Sequence, residues 1–477
     1  MPPLENDLSE RLAALREQNL LRELRRVDSA QSPRIQIDGR SFLNFSSNDY
    51  LGLANHPAIK AAAIRAIESF GAGSGASRLV CGSLAPFHQL ETALARLKQT
   101  EAALAFSSGY AAAQGTISAL LGKDDVVILD KLVHACVVDA AKLSGAKIRV
   151  FGHNDLDDLD DKLKWAARIA GPSQSGRPRV LIVTESIFSM DGDSAPLRQI
   201  VALKERYGAW LMLDEAHATG ILGESGGGLV DELGLAGRVE IQMATLGKAL
   251  GAAGGCICGS RQLIDFLVNR ARSFVFSTAP VPAAAAAATE AIRIVQSPEG
   301  KKLRQTLFEN IAVFRSACKS SSSSSSPTAP KPSEGGSSSS PHQTIGGQFS
   351  LSQRERAGVR ESFSDENILS LHEQARAQGG KSSSSSKPSK GSPSTIPHSA
   401  FRIPHSTSAI LPIILGNEQK ALDAAAKLRE QNIFIPAIRY PTVARGAARL
   451  RVTFTAAHSH DDIFCLVDAL KNLDIGI

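Results

Sequence analysis

Hydrophobic and polar positions follow two alternating patterns along much of the chain. Between about positions 57 and 315, amphipathic stretches of helical length are separated by short continuous runs of apolar residues. Such runs are typical of strands buried on both faces, so the alternation favours an α/β sheet covered by helices. The runs predict seven strands, at residues 103–106, 125–129, 147–151, 180–184, 210–213, 241–245 and 255–258.

The chain on either side of this region has other patterns. Leucines spaced among charged residues predict a surface helix over residues 4–26. Alternation around Asp38-Gly39-Arg40 predicts a β-hairpin within residues 35–45. After position 406 the order of segments is β-α-β-β-α, which predicts a small α+β domain.

A serine- and proline-rich segment separates the α/β region from this small domain. Residues 319–405 contain 26 serines and 8 prolines. Such a composition cannot bury enough apolar surface to offset the entropy of ordering, so it predicts a disordered, flexible insertion, with one possible helix at residues 365–378. Two roles are open for this segment: an inert linker, or a segment that is phosphorylated or docks partners. The expected parts are an N-terminal arm, a large domain, this insertion and a small C-terminal domain, at residues 1–56, 57–318, 319–405 and 406–477.

Charge and composition exclude several classes of function. The net charge is +6, but the 10 Lys/Arg and 6 Asp/Glu of the insertion supply +4, which leaves +2 elsewhere and disfavours a nucleic-acid surface. No stretch approaches the roughly 20 apolar residues of a membrane span, and the charged N-terminus does not resemble a signal peptide. Six scattered cysteines indicate reduced thiols in a cytoplasm. Cys256 and Cys258 form the only close pair, so no metal site is expected.

The strongest chemical signal follows the apolar run at 210–213. Asp214-Glu-Ala-His217 comes directly after that strand, and the carboxyl ends of parallel strands are where α/β proteins bind ligands. A buried carboxylate needs a cationic partner, because an unpaired buried charge is very costly. A protonated pyridine nitrogen would serve.

A lysine follows the next strand. Lys248 stands behind Leu246-Gly247 after the run at 241–245, the arrangement that a Schiff base needs. Desolvation and nearby cations would lower its pKa and make the neutral amine available. A phosphate-binding P-loop is excluded, because Gln242 stands where glycine is required and no Ser or Thr follows the lysine.

A third signal is a turn of small residues, Phe106-Ser-Ser-Gly109-Tyr110, between a strand and a helix. Free N–H groups at a helix N-terminus suit a phosphate. The glycine-rich residues 71–76 fit a dinucleotide fingerprint formally, but they follow a helical stretch and not a strand. A phosphate cradle, an aspartate for a ring nitrogen and a Schiff-base lysine are together what pyridoxal phosphate (PLP) requires.

These motifs resemble the α-oxoamine synthase family of fold-type I PLP-dependent enzymes. The resemblance covers nearly all residues outside the insertion and implies a large, mostly parallel seven-stranded sheet domain with a small C-terminal α+β domain. It implies a PLP-dependent acyltransferase that works as a homodimer in the cytoplasm, with active sites at the subunit interface. The matching stretches are residues 46–53, 189–196, 214–217, 245–248 and 448–451.

Within the family, the closest resemblance is to the member that acts in biotin synthesis. It joins L-alanine to a pimeloyl thioester and releases CO2 and the carrier thiol. Both coenzyme A and an acyl carrier protein are open as the carrier. The alternative is a sibling that uses glycine, such as 2-amino-3-ketobutyrate ligase. The stretches that favour the first member are residues 46–53, 191–196, 437–442 and 449–458.

The resemblance also implies roles for residues around the cofactor. Lys248 would carry PLP as an aldimine and exchange the proton at the α-carbon of alanine. Asp214 would pair with the pyridinium nitrogen, and His217 would bind the phenolic oxygen. His134 would stack on the ring and touch the substrate, although a core position is the alternative. The remaining cofactor contacts would come from Gly109, Tyr110, Ser189, Thr245 and, in the other subunit, Thr278.

Substrate contacts follow in the same way. Arg439 would clamp the carboxylate of the amino acid, unless it is a surface cation, and Asn48 and Thr442 would line the substrate site. Arg25 would meet the acyl substrate, with the adjacent Arg26 as the alternative. Three other histidines match nothing catalytic and are expected to be structural: His88, His153 and His458.

Overall fold

The computed structural model describes residues 3–169, 178–322 and 408–473. Its strands in the N-terminal arm and large domain are β1 (Arg34–Ile37), β2 (Arg40–Asn44), β3 (Ala102–Phe106), β4 (Val126–Asp130), β5 (Lys147–Phe151), β6 (Val180–Glu185), β7 (Trp210–Asp214), β8 (Ile241–Thr245) and β9 (Gly255–Gly259). The later strands are β10 (Ile410–Gly416), β11 (Ile433–Phe434), β12 (Ala437–Ile438) and β13 (Ala448–Thr453).

Helices cover the strands on both sides. Those up to the middle of the chain are α1 (Leu4–Glu17), α2 (Pro57–Phe70), α3 (Ala85–Leu97), α4 (Gly109–Leu120), α5 (Ala135–Ser144), α6 (Leu156–Ile169) and α7 (Leu197–Tyr207). The others are α8 (Leu229–Glu232), α9 (Arg261–Arg270), α10 (Arg272–Val275), α11 (Pro282–Val295), α12 (Pro298–Ser322), α13 (Glu418–Glu430) and α14 (His460–Lys471).

The seven predicted strands form one sheet in the order β3-β9-β8-β7-β6-β4-β5. Strand β9 is antiparallel to both of its neighbours, and the other pairs are parallel. Strands β3, β4 and β9 are buried along their whole length, and β6, β7 and β8 at all but one residue, because apolar clusters cover both faces of the sheet. The mostly parallel seven-stranded domain is therefore confirmed.

The strand order determines where a site can form. Strands β4, β6, β7 and β8 are neighbours and run in the same direction, so the loops that follow them meet at one edge of the sheet. That edge is where doubly wound α/β proteins bind ligands.

The N-terminal helix is shorter than predicted. Helix α1 ends at Glu17, and Asn19 has a φ of 57°, which is incompatible with continuing a helix. No residue of α1 is buried, so no packing extends the helix towards position 26. The predicted hairpin is present: β1 pairs with β2 across Asp38 and Gly39, whose φ values of 50° and 74° suit a tight turn.

The small C-terminal domain contains the predicted elements in the predicted order. Strands β10, β13 and β12 form an antiparallel sheet, and strand β12 was not predicted, because Pro436 separates it from the apolar run at 433–435. Strand β11 pairs in parallel with β2 of the arm. Residues 319–322 of the expected insertion form the end of α12, and the rest of the insertion, with its possible helix, lies outside the described residues. Among the described helices, none has the length and hydropathy needed to cross a bilayer.

Candidate active site

A chain of three polar side chains begins at Lys248, in the turn after β8. Its Nζ lies 2.7 Å from Nε2 of His217, which stands in the turn after β7. The other ring nitrogen, Nδ1, lies 2.6 Å from the hydroxyl of Tyr50. Tyr50 is completely buried and comes from the N-terminal arm. The arm, β7 and β8 therefore all contribute to one buried polar chain.

The surroundings favour uncharged forms of two of these groups. Burial lowers the pKa of Lys248, while the charges of Asp214 and Glu185 oppose that shift. Burial and the charge of Lys248 hold the pKa of His217 well below its ordinary value. An amine beside a neutral imidazole is suited to nucleophilic and proton-transfer chemistry at neutral pH.

Asp214 supplies the negative charge of the site. It ends β7, is 5% exposed, and accepts a hydrogen bond of 2.9 Å from the backbone N–H of Ala216 on Oδ1. The carboxylate thus stands at the edge of the sheet within reach of a ligand nitrogen. It is the position that the sequence predicted.

The turn between β3 and α4 is shaped for a phosphate. Ser108 caps α4 by accepting from Ala111, which leaves the N–H groups of Gly109 and Tyr110 at the open helix end. A Cβ on Gly109 would lie 2.5 Å from Cγ2 of Thr245, so only glycine allows this approach.

Thr245 adds an independent indication of a ligand. Its Oγ1 is buried and has no hydrogen-bond partner among the described residues. Buried hydroxyls are normally paired, so an unpaired one beside an open helix N-terminus fits a phosphate oxygen. Together with Asp214 and Lys248, these residues fit PLP.

Tyr110 contributes less clearly. Its side chain is 44% exposed, and its hydroxyl donates to the carboxylate of Asp139. The structure brings its backbone N–H to the helix end but turns the phenol hydroxyl towards α5.

A cleft of about 300 Å³ opens beside this centre. Its lining includes His134, Ser189 and Thr442, three residues that the sequence selected. The charges of Asp214 and Lys248 both act on His134, whose pKa is lowered mainly by desolvation. The cleft and the buried lysine centre are therefore parts of one site.

Glu185 links two walls of the cleft, and the sequence analysis did not select it. Its Oε1 accepts from the N–H of His134 at 2.6 Å, and Oε2 accepts from the N–H of Ser189 at 3.3 Å. Burial and the charge of Asp214 raise the pKa of this carboxyl well above its ordinary value. The sequence signal that could have identified Glu185 is its position directly after the apolar run 180–184, and in the sheet it lies level with Asp214.

Arg451 is a second residue that the sequence analysis did not select, although it ends a quoted motif. Its guanidinium donates to the carbonyl of Ser189 at 2.6 Å and to Oδ1 of Asn48 at 3.0 Å. It also lies 3.4 Å from the Tyr50 hydroxyl. Arg451 thus joins the predicted Asn48 to the buried polar chain.

The N-terminal arm contacts the loop that carries Arg439 and Thr442. The guanidinium of Arg439 donates to the carbonyl oxygens of Asn19 and, at 3.2 Å, of Leu21. Arg22 in turn donates to the Tyr440 carbonyl at 3.1 Å and lies 3.4 Å from the Thr442 hydroxyl.

Arg25 and Arg26 lie elsewhere on the arm. Arg25 is exposed, and its charge acts on Arg429 of α13. Arg26 donates to Asp28. The structure thus brings Arg22, and not Arg25 or Arg26, to Thr442, and the loose register of the arm in the sequence explains why the position was not recognised.

Thr278 lies on the rim of the same edge. It is exposed and forms an isolated β-bridge with Ser77. Together with Ser107 of the phosphate turn, it lines a small cavity. It has no place in the chain of contacts from Lys248 to Tyr50.

Comparisons with known proteins agree with this site. The family Aminotransferase class I and II matches residues 40–334 and 396–470. The 8-amino-7-oxononanoate synthase of Geobacter sulfurreducens is 38% identical over 468 residues, with 98% of each chain covered. The enzyme of the same name from Geotalea daltonii is 39% identical over 464 residues, with 97% of this chain and 96% of that one covered.

A solved structure gives the same fold. The serine palmitoyltransferase of S. paucimobilis, with a bound PLP–myriocin aldimine, has a TM-score of 0.76 at 23% identity, with 99% of this chain and 98% of that one covered. Fold and site together define a PLP-dependent transferase of fold-type I. The chain belongs to the aminotransferase class I and II family and, within it, groups with the 8-amino-7-oxononanoate synthases. The resemblance inferred from the motifs is confirmed.

Proposed function

We propose that this protein condenses L-alanine with a pimeloyl thioester to give 8-amino-7-oxononanoate, CO2 and the free carrier thiol. The observation that carries the proposal is the buried Lys248–His217 pair beside Asp214, next to a cleft lined by His134 and Thr442. The names of the two relatives support this choice of reaction.

Lys248 is the group that moves protons. PLP, when bound, supplies an electron sink for the negative charge left on the α-carbon. Lys248 would hold the cofactor, take the proton from the α-carbon of alanine and later return one. The lowered pKa of Lys248 supports this role, because a base must be unprotonated to accept a proton.

Three other groups would orient the cofactor. Asp214 would keep the ring nitrogen protonated by offering a buried carboxylate. His217, neutral and fixed by Tyr50, would hydrogen-bond the phenolic oxygen. His134, on the cleft side, would stack on the ring and limit the access of water.

The phosphate and the substrate would bind on either side of this centre. Gly109, Tyr110 and Thr245 would hold the phosphate, and Ser189 would lie near the ring. Arg439 would bind the carboxylate of alanine by exchanging its contacts with the arm carbonyls for a bidentate ion pair. Asn48 and Thr442 would line the acyl path, and either Arg25 or Arg22 would meet the acyl chain or its carrier.

We further propose a homodimer in which Thr278 reaches the phosphate of the partner subunit. The exposed apolar residues on this side support an interface, since a large apolar patch on a soluble surface usually marks an association site. Phe276, two residues before Thr278, is 73% exposed. Val80, three residues after Ser77, the β-bridge partner of Thr278, is 78% exposed.

The deciding experiment measures thiol release and identifies the product by mass. Alanine and glycine are each offered with pimeloyl and acetyl groups, carried either on coenzyme A or on an acyl carrier protein. We expect release with alanine and a pimeloyl donor, together with a product of the mass of 8-amino-7-oxononanoate. Preference for glycine with the acetyl donor would assign the chain to the sibling reaction instead, and the carrier with the higher kcat/KM identifies the natural donor.

A further inference from the structure

His153 lies just beyond β5, and both of its ring nitrogens face carboxylates. Nδ1 lies 3.0 Å from Oδ1 of Asp130, and Nε2 lies 2.8 Å from Oδ2 of Asp193. A carboxylate can only accept hydrogen bonds, so both nitrogens must carry protons and the ring is a cation. Burial alone would lower the pKa of His153, but the two carboxylates raise it to about 10.

The two carboxylates belong to different walls of the cleft. Asp130 ends β4 and accepts from the N–H of Leu132, at the start of the segment that carries His134. Asp193 belongs to the turn after β6, where its carbonyl accepts from the N–H of Phe188 at 3.0 Å. Leu132, His134 and Phe188 all line the cleft.

Two further contacts strengthen the connection. The ring of His153 packs edge-on against Phe188, with centroids 4.3 Å apart. Asn154, held at a φ of 54°, donates from its backbone to Oδ2 of Asp130 and from its side chain to Oδ2 of Asp193, both at 3.0 Å. Consecutive residues therefore bridge the same pair of carboxylates, and an unusual backbone conformation is maintained to allow it.

We propose that His153 is a positioning residue for the acyl substrate. Its charged ring holds the His134 segment and the Ser189–Asp193 turn at the separation that the acyl chain needs. Among the described residues, its polar contacts are Asp130, Asp193 and Asn154, and none reaches Lys248. Loss of the ring should therefore weaken binding of the acyl donor while the proton-transfer steps continue. The identity of that donor rests on the proposed function.

The first test compares His153→Gln with His88→Gln in the holoenzyme. His88 is an exposed histidine whose ring meets only Ser83 among its described contacts, so it is a matched control. Glutamine carries both of its N–H donors on one nitrogen, so it cannot reproduce the two donors on separate ring nitrogens of His153. We expect KM for the acyl donor to rise about tenfold, with kcat within about twofold. A KM equal to that of the control would overturn the proposal, and so would a fall in kcat at constant KM.

The second test uses Asp193→Asn, which keeps the imidazole ring of His153 but removes one of the two carboxylate charges that the ring faces. The other carboxylates near His153 in the chain, Asp155 and Asp158, accept from backbone N–H groups, and Asp158 also pairs with Lys162. With one carboxylate left, His153 should titrate nearer to neutral pH, so KM should rise between about pH 6 and 9 while the wild type stays flat. A flat profile for the variant would show that the charge of the ring is not what positions the walls.

A third measurement does not depend on the substrate. Deuterium uptake is followed in the peptides that cover residues 131–136 and 186–194. His153→Gln should increase uptake in both peptides, and His88→Gln in neither. If the wild type turns over no pimeloyl donor but uptake still changes, the proposed function fails and the positioning role stands. Unchanged uptake would overturn the positioning role alone.

Discussion

Asp214 and Glu215 are consecutive residues, yet each faces a different lysine. Glu215 accepts from Nζ of Lys98 at 2.6 Å, and both side chains are completely inaccessible to solvent. Lys98 also donates to Oγ1 of Thr219 and to the carbonyl of Gly227, again at 2.6 Å. The Lys98–Glu215 pair is therefore an ion pair in which all three ammonium protons are used.

Lys248, on the Asp214 side, has a different environment. Its Nζ meets the ring of His217, whose pKa is held well below its ordinary value, so the partner is uncharged. Burial without a saturating set of acceptors lowers the pKa of Lys248. The comparison teaches that burial alone does not make a lysine reactive; what matters is how many anionic or carbonyl acceptors accompany it.

The largest expected effect comes from Lys248→Ala. Removing the amine should lower kcat by about 10²–10⁴-fold, because the proton at the α-carbon loses its acceptor. Borohydride should fix PLP to the wild-type chain and not to this variant, which a mass measurement of the chain detects. A variant with more than a tenth of wild-type turnover would mean that another group serves as the base.

Lys98→Met tests the other half of the comparison. It leaves Glu215 buried without its cation, so the free energy of unfolding should fall by about 3–5 kcal/mol. The double variant Lys98→Met/Glu215→Gln should recover part of that loss, since no charge is then buried. Denaturant unfolding of both variants decides the matter, and a loss below about 1 kcal/mol for Lys98→Met would show that the pair is not structural.

The same contrast between a fully paired cation and an uncharged group applies to two histidines, and it predicts how their contributions to stability change with pH. Like Lys98, His153 is a cation whose N–H donors all have acceptors, whereas burial lowers the pKa of His217 as it lowers that of Lys248. The raised pKa of His153 gives stability that is complete below about pH 6.5 and is lost as the pH rises towards 10. The lowered pKa of His217 acts in the opposite direction, and its contribution is lost as the pH falls below about 6.5.

The contribution of His153 is measured as the difference in free energy of unfolding between the wild type and His153→Gln. It should decrease between about pH 6.5 and 9, by at most about 1.4 kcal/mol per pH unit. A difference that is constant over this range would mean that the ring is not charged in the folded protein.

The smallest effect is expected from Tyr50→Phe. Deleting the hydroxyl removes the partner of Nδ1 of His217, a hydrogen bond of about 0.5–1.5 kcal/mol, so kcat should fall about two- to tenfold. The pH dependence of the cofactor absorbance should also shift, because His217 loses its fixed orientation. Unfolding measured in parallel separates this effect from general destabilisation, and an unchanged titration with normal kcat would remove Tyr50 from the site.

The sequence predicted the strands and the local motifs for a clear physical reason. Strands buried on both faces leave continuous apolar runs, and Asp214, His217 and Lys248 follow such strands directly. The predicted end of α1, at residue 26, was wrong because an exposed helix has no packing pattern to define its last turn. Strand β12 was missed because Pro436 separates its two residues from the apolar run at 433–435.

Contacts between distant segments were the part that the sequence could not predict. Tyr50 and His217 are 167 positions apart, and Arg451 and Asn48 are 403 positions apart. Each lies within or next to a recognisable motif, but no local pattern shows that the motifs meet. The same holds for Arg22, whose contact with Thr442 depends on how the arm crosses a loop 420 positions away.

The parallel pairing of β2 with β11 also has a consequence for biosynthesis. Leu43 and Asn44 pair with Ile433 and Phe434, and Tyr50, which reaches the buried centre, follows β2 by only six residues. A ribosome that adds about 5–20 residues per second needs tens of seconds to make the intervening chain. During that time the arm has been synthesised but lacks its partner strand. The active site is thus completed among the last steps of folding, when Arg439 and Thr442 on the substrate side join the cofactor residues that were synthesised earlier.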